Sequence, residues 1–448
     1  MKAFTISQAA AACQGRMSRA DYEDRELGHV VVDSRKVQPG DLFVAYKGEK
    51  VDGHDYIAAA FNRGAACCLA ERLPEGEERA VLLVPDVQKA LEQIALAYRA
   101  TLSLPVVGVT GSVGKTSAKE MIAAVLAQRF RVLKTEGNLN NQIGVPMTIS
   151  RIEPEHEVAV VELGISGFGE MTDIARLAQP RMAVFTRIGH AHLEMLGDLD
   201  GVFRAKTELL PFLPEDGGVV VNGDDPYLRA LRCPQRRILV GLGAENDLRA
   251  EEIRYVGEER TDFTLVWDGG RVPVTIPAYG QHLVYAALEG AAVGLTFGLG
   301  GEEIAAGIAS FRTVGRRGAM VDTGFLTLID DSYNANPDSV QCGIDSLLQL
   351  PGRHVAILGD MRELGEGGAD MHRAIGRYAR EKGVDLLLTA GPLARCFAEG
   401  AGERAHWFET REALIAALPT FLQKGDSVLV KASLRMGFSA VAEAVKQL

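Results

Sequence analysis

Short apolar runs of strand length recur along this chain. Most are followed by a stretch whose apolar residues return every three or four positions, the mark of a half-buried helix. The pairing is plainest in the middle. Val106–Thr110 is an unbroken run of strand type, a turn with Gly111 and Gly114 follows, and Ala118, Met121, Ile122, Val125 and Leu126 then share one helical face. Before it, runs at 30–32 and 42–45 flank the Pro39-Gly40 turn signal, with helical patches at 57–62 and 87–98. After it, the pattern predicts strands at 158–162, 183–186, 219–225 and 238–241. Antiparallel strands are predicted over 250–277, with a turn at Asp268-Gly269-Gly270, and then a helix over 283–296. Beyond residue 315 the alternation is regular. Strands at 326–329, 354–358, 384–388 and 428–430 interleave with helices near 339–349, 371–382, 393–399 and 411–423. That series predicts a mostly parallel sheet.

The pattern divides the chain into units at 1–102, 103–314 and 315–448. With 448 residues, 47% of them hydrophobic, several cores are affordable at roughly 100–200 residues per domain. The net charge of −11 excludes a general attraction for nucleic acid or anionic lipid. No apolar run approaches the ~18 residues a membrane span needs, and MKAFTISQAAAACQGR has no signal-peptide core. The six cysteines include no C-x-x-C pair, so reduced thiols of a cytoplasmic protein are expected.

Strand, glycine turn, Lys115-Thr116-Ser117 and amphipathic helix is the order that cradles phosphates. Glycines turn backbone amides toward the anion, and the helix N-terminus adds partial positive charge. Gly111, Ser112, Val113 and Gly114 would form the cradle, with Lys115 on the β/γ-phosphates and Thr116 on magnesium. Glu162 ends the strand VAVVE, the usual place for a magnesium ligand beside such a loop. Other polar clusters are open to two readings. Asn138, Asn140 and Asn141 crowd a glycine-bounded segment where turns alone would account for them. His190 and His192 follow a strand as ligands or as satisfied loop histidines. Ser34, Arg35, Lys47 and His54 sit at turns, where they would grip a pyrophosphate or simply be solvated. In the last unit Asp330, Asp331, Asn334, Asn336, Asp360 and Lys431 follow strand ends, where parallel sheets bind ligands. Asp338 or Ser339 is expected only to cap a helix.

TGSVGKTSAKE, GNLNNQIGVP, VVELGISGFGEM, HAHLE, DDSYNANP and LGDMRELGE stand in this order, behind DSRKVQPGDLFVAYKGEKVDGHDY. Together they resemble the Mur ligases of bacterial cell-wall synthesis, across all three units. YNANP sorts with the members that add D-alanyl-D-alanine to UDP-N-acetylmuramoyl-tripeptide; no DNPR-like motif of the sister type occurs. The resemblance implies an α/β, three-domain architecture. It comprises a small mixed N-terminal domain for the UDP substrate, a central phosphate-loop domain with an antiparallel extension, and a Rossmann-like C-terminal domain that closes on ATP and the dipeptide. It also implies a cytoplasmic, monomeric ligase that activates a carboxylate as an acyl phosphate. The weighed alternatives are a sister amide ligase with another acceptor and a phosphate-loop switch ATPase.

Residue roles follow from the same resemblance. Lys115 would stabilise the transferring phosphoryl group. Thr116 and Glu162 would hold one magnesium ion, and Glu162 with His192 a second. Lys206, in FRAKTELL, matches the lysine that these ligases carbamylate. Asn138 and Asn141 match positions near the phosphates and acyl substrate. Arg316 or Arg317, Asp331, Asn334 and Asn336 match the part that closes on ATP. Ser34, Arg35, Lys47 and the DGH turn with His54 match the region for the uridine diphosphate end. Three places depart from the commoner pattern: HLVYAA puts Leu283 and Ala286 where asparagines are usual, LGISGFGEM replaces MGANHPGEI, and KASLRM moves an arginine to Arg435.

Overall fold

The structure is a computed structural model and describes residues 1–48, 51–257 and 260–448. Residues 258 and 259, within the stretch expected to be antiparallel, lie outside it.

Three sheets carry the chain. The first has five strands. Val30–Val31, Leu42–Val44, Cys67–Ala70 and Val81–Leu83 run parallel, and Arg16–Met17 closes the edge antiparallel. Its mixed character matches the expected N-terminal unit. The second sheet has nine strands, with Val106–Thr110 between Val158–Glu162 and Met182–Phe185, all parallel. It continues through Gly218–Asn222 and Arg236–Gly241, then becomes antiparallel over Leu248–Val256, Arg260–Trp267 and Gly270–Ile276. The third sheet has six strands. Thr327–Asp331, Ser427–Lys431, His354–Gly359, Leu386–Ala390 and Ala405–Phe408 are parallel, and Ala319–Asp322 is an antiparallel edge.

The phosphate-loop strand is buried along its whole length, as a central parallel strand covered on both faces must be. The helix Lys115–Leu126 lays Ala118, Met121, Ile122, Val125 and Leu126 on one face, all fully buried. Against it packs the helix Gln281–Thr296. A Cβ on Gly290 would stand 3.1 Å from Met121, and one on Gly294 2.7 Å from Val125, so small residues set how near the two helices lie. Leu283 and Ala286 belong to this same apolar layer.

The N-terminal and central units share one core, in which Phe4, Leu91 and Tyr98 belong with Ile149, Ile152 and Ile174. Polar ties cross the same boundary. Tyr98 Oη donates to the Ile152 carbonyl at 2.5 Å, the Arg99 Nε–H donates to the Ala178 carbonyl at 3.1 Å, and the Val30 amide donates to Ser150 Oγ at 3.1 Å.

Several elements escape the periodicity argument. Gly144–Ser150 is a helix although it begins Gly-Val-Pro. It is buried throughout, so packing overrides weak propensity. Ile6–Ala12 is a helix closed by a Thr5/Gln8 capping box. No helix among the described residues is long and apolar enough to cross a membrane.

Candidate active site

The loop after the central strand is shaped by two glycines. Gly111 (φ +151°) lies so near its neighbour that an added Cβ would stand 2.0 Å from Thr186 Oγ1, and Gly114 has φ +86°. Thr186 ties the loop to the adjacent strand, its hydroxyl donating to the Val113 carbonyl at 2.5 Å. Ser112 Oγ donates to the Gly189 carbonyl and accepts from the Gly189 amide, both at 2.9 Å. No side chain caps the helix that starts at Lys115, so its first amides are left for an anion. Lys115 folds back over the loop and donates from Nζ to the Gly111 carbonyl at 2.7 Å. Burial lowers its pKa. Glu162 opposes that shift, and the nearby Arg317 charge adds to it.

Glu162 is buried at the strand end and fixed from several sides. Thr116 Oγ1 donates to Oε2 at 2.9 Å and Asn140 Nδ2 to Oε1 at 2.7 Å. The Thr135 hydroxyl accepts from the Glu162 amide at 3.0 Å. The fully buried Lys119 ammonium stands 3.9 Å from Oε2, pairs with Glu120 at 2.9 Å and donates to the Thr135 carbonyl at 2.7 Å. A hydroxyl and a carboxylate in contact at a helix N-terminus are hard oxygen donors that fit magnesium. Among the described residues no group of three or more His, Cys, Asp or Glu stands ready to hold a metal. An ion here would therefore share its shell with nucleotide phosphates and water, as magnesium does.

Lys206 lies on the helix Leu199–Thr207, fully buried and without an ion pair among the described residues. Burial pushes its pKa well below the usual lysine value, and the Lys115 charge adds to the shift.

The C-terminal unit faces this loop. Asp331 and Lys431, at the ends of neighbouring parallel strands, pair at 2.5 Å, and Lys431 also donates to the Asn334 carbonyl at 2.8 Å. Their charges act on His282, at the start of the central unit's long helix; its pKa is lowered by burial first. The Arg317 guanidinium lies 4.0 Å over the Tyr333 ring. The His190 amide donates to Asp338 at 2.6 Å and its Nδ1 lies 3.0 Å from the same oxygen, while His192 Nδ1 lies 2.5 Å from Glu363. Both histidines thus reach across to the C-terminal unit.

Several of these residues already have partners within the chain. His54 is buried with both ring nitrogens engaged, Nδ1 with Asp52 at 2.6 Å and Nε2 accepting from the Glu71 amide at 3.0 Å, so it braces the fold. Asn336 caps the helix Pro337–Leu347 by accepting from the Ser339 amide at 2.8 Å. Asn141 does the same ahead of Gly144–Ser150, and Asn140 is the asparagine that reaches Glu162. Arg316 turns toward Glu443 and Asp330 within its own unit, and it is Arg317 that bears on Lys115. Asp338, expected only to cap a helix, instead anchors His190. Ser34, Arg35, Lys47 and Asn138 lie toward solvent, with Arg35 held by Asp33 at 2.9 Å.

Lys119, Thr135, Asn140, Thr186, Asp338 and Glu363 were not singled out from the sequence as site residues. Thr186 carries a local signal as a polar residue closing a buried strand beside the loop, and Asn140 one as part of the glycine-bounded asparagine cluster.

A phosphate loop backed by a carboxylate and a buried lysine, and faced by a second parallel sheet, is a nucleotide-dependent ligation architecture. Residues 26–99 match the Mur ligase family catalytic domain, 109–294 the Mur ligase middle domain and 316–434 the Mur ligase glutamate ligase domain. The chain belongs to the Mur ligase family. Within it, the chain is 37% identical to the UDP-N-acetylmuramoyl-tripeptide–D-alanyl-D-alanine ligase of Bacillus subtilis, over 98% of this chain and 97% of that one. It is 36% identical to the ligase of the same name from Escherichia coli, over 100% and 99%. A crystal structure of MurF from Acinetobacter baumannii superposes with a TM-score of 0.91 at 31% identity, covering 99% of both chains. MurF from Thermotoga maritima in complex with ADP gives 0.83 at 29%, covering 94% of this chain and 97% of that one.

Proposed function

We infer that this chain is an ATP-dependent amide ligase that joins D-alanyl-D-alanine to UDP-N-acetylmuramoyl-tripeptide, giving the pentapeptide precursor of peptidoglycan. The observation that carries the reading is the loop itself: Lys115, Thr116 and Glu162 meet at an uncapped helix N-terminus, in a chain aligned end to end with ligases of that name.

A carboxylate is a poor acyl donor because oxide is a poor leaving group. A carboxyl oxygen of the tripeptide attacks the γ-phosphorus of ATP, the bond to the ADP oxygen breaks, and an acyl phosphate results. The dipeptide amine then attacks the acyl carbon, the C–N bond forms and phosphate leaves. Both steps concentrate negative charge, so the protein's part is positioning and neutralisation. Gly111 through Ser117 hold the phosphates by backbone amides, and Lys115 swings from the Gly111 carbonyl to the transferring group. Thr116 and Glu162 would hold one magnesium ion, and Glu162 with His192 a second; the metal would supply charge neutralisation at the phosphates. Asp331, Asn334 and Arg317 would close over the nucleotide, with Asn138 near the phosphates. Ser34, Arg35 and Lys47 would take the uridine diphosphate end.

Lys206 is assigned here as a carbamate. A buried amine held neutral is nucleophilic toward carbon dioxide, and the product is an anion able to neutralise Lys115 or a metal. Residues 1–102, 103–314 and 315–448 act as the substrate, nucleotide and closing domains of a monomer that works in the cytoplasm, where ATP and UDP-linked substrates are found.

The deciding experiment is phosphate release measured with each substrate omitted in turn, with isotopic oxygen placed in the tripeptide carboxyl. Release that needs both substrates, with label appearing in phosphate, is the expected result. Release without them would make the chain a switch ATPase, and preference for a single amino acid would make it a sister ligase. A carbon dioxide-independent enzyme with a free Lys206 amine would remove the carbamate.

A further inference from the structure

Six non-glycine residues among those described have a left-handed backbone: Ala3, Gln14, Gln179, His192, Glu252 and Glu363. Two of the six meet. His192 (φ +55°) ends the loop after the strand Met182–Phe185, and Glu363 (φ +63°) lies in the loop after His354–Gly359 of the C-terminal unit. Between them, 171 positions apart, His192 Nδ1 lies 2.5 Å from Glu363 Oε2. The backbones join as well, the Glu194 amide donating to the Glu363 carbonyl at 3.1 Å. A Cβ on Gly365, whose φ is +65°, would stand 3.4 Å from Glu194 Cα, so the loops meet closely. Backbones of this kind persist only where their surroundings over-determine them, and they gather at functional contacts.

We propose that Glu363 is a positioning residue for ligation: carried in on the C-terminal unit, its carboxylate fixes the His192 ring with Nδ1 as donor and Nε2 free to face the reacting groups. The proposal rests on the reading above that His192 works in the ligation site. A carboxylate on one ring nitrogen sets the tautomer and raises the basicity of the other, the arrangement that supports a metal-ligating histidine. Because the carboxylate and the imidazole sit on different units, the ring is set only when the C-terminal unit is docked. Acyl transfer is thereby tied to closure. Docking has a separate anchor in the His190–Asp338 contact, so the ring can be released without undocking the unit.

The test uses the full chain with Glu363→Ala, Glu363→Gln and His192→Ala. Three readings are taken: kcat and KM for each substrate, Mn2+ affinity by electron paramagnetic resonance with ADP and UDP-tripeptide but no acceptor, and compaction by small-angle scattering under those conditions. Glu363→Ala is expected to lower kcat and Mn2+ affinity by about 10–100-fold, with KM for ATP and compaction unchanged. Glu363→Gln, whose amide oxygen still accepts from Nδ1–H, is expected to recover most of both. Wild-type kcat and Mn2+ affinity in Glu363→Ala, with His192→Ala impaired, would overturn the proposal and leave the ligase reading standing. Loss of compaction in Glu363→Ala would also overturn it, assigning Glu363 to docking alone. An unimpaired His192→Ala would remove His192 from the site and the proposal with it.

Discussion

Glu289 offers a test of the central unit's packing that is independent of catalysis. It lies 2% exposed on the helix Gln281–Thr296, which packs against the phosphate-loop helix through Gly290 and Gly294. Its Oε1 has no hydrogen-bond partner among the described residues, and burial pushes its pKa from 4.5 up to about 8. The folded chain therefore keeps this proton across a pH range where the unfolded chain has lost it. Stability from this group is full below about pH 4.5, falls as pH rises toward 8, and is flat above that. Each tenfold change in proton affinity is worth about 1.4 kcal/mol, so the full displacement is worth roughly 4–5 kcal/mol at its upper limit. Urea unfolding of wild type and Glu289→Gln, followed by circular dichroism at steps through this window, isolates the group, since every other titration is common to both. The amide has its own burial cost, which offsets the curves by a constant. The expected result is a difference that moves in favour of Glu289→Gln by a few kcal/mol from the acid to the alkaline end. A difference independent of pH would refute the reasoning.

Other expectations concern the site and its frame. Lys115→Ala should keep the fold and lower ligase turnover at least about 100-fold, the scale for removing one group that stabilises transferring charge, as read by coupled ADP release. Gly111→Ala drives a methyl into Thr186 Oγ1 and should abolish detectable nucleotide binding by calorimetry; wild-type affinity would show that the loop can yield. Tyr98→Phe removes the donor to the Ile152 carbonyl and should cost about 1–3 kcal/mol, leaving a buried acceptor unpaired, as read by the urea midpoint.

Much of the fold was legible wherever one signal was local and repeated. The strand Val106–Thr110 and the helix after it were visible because burial, periodicity and glycine placement agree within twenty or so residues. The mostly parallel C-terminal sheet follows from the regular strand–helix alternation after residue 315. Gly144–Ser150 was hidden because its residues are weak helix formers held by packing alone. The site divides the same way. Lys115, Thr116 and Glu162 follow from strand-end position, whereas His190–Asp338 and His192–Glu363 join residues 148 and 171 positions apart, beyond any local pattern. Asn140 and Asn141 are adjacent and alike in type, and only the turn geometry decides which reaches Glu162 and which caps a helix.

The shared core beneath Tyr98 and Arg99 has a bearing on substrate length. If the first unit anchors the nucleotide end of the substrate, as proposed, the shared core sets the distance from that anchor to Lys115. A sugar-nucleotide peptide anchored at one end is gauged against that gap. One residue too few would leave its carboxyl stranded by about 3.3–3.6 Å, more than in-line attack on phosphorus tolerates, so the spacing itself would reject truncated precursors without reading their side chains.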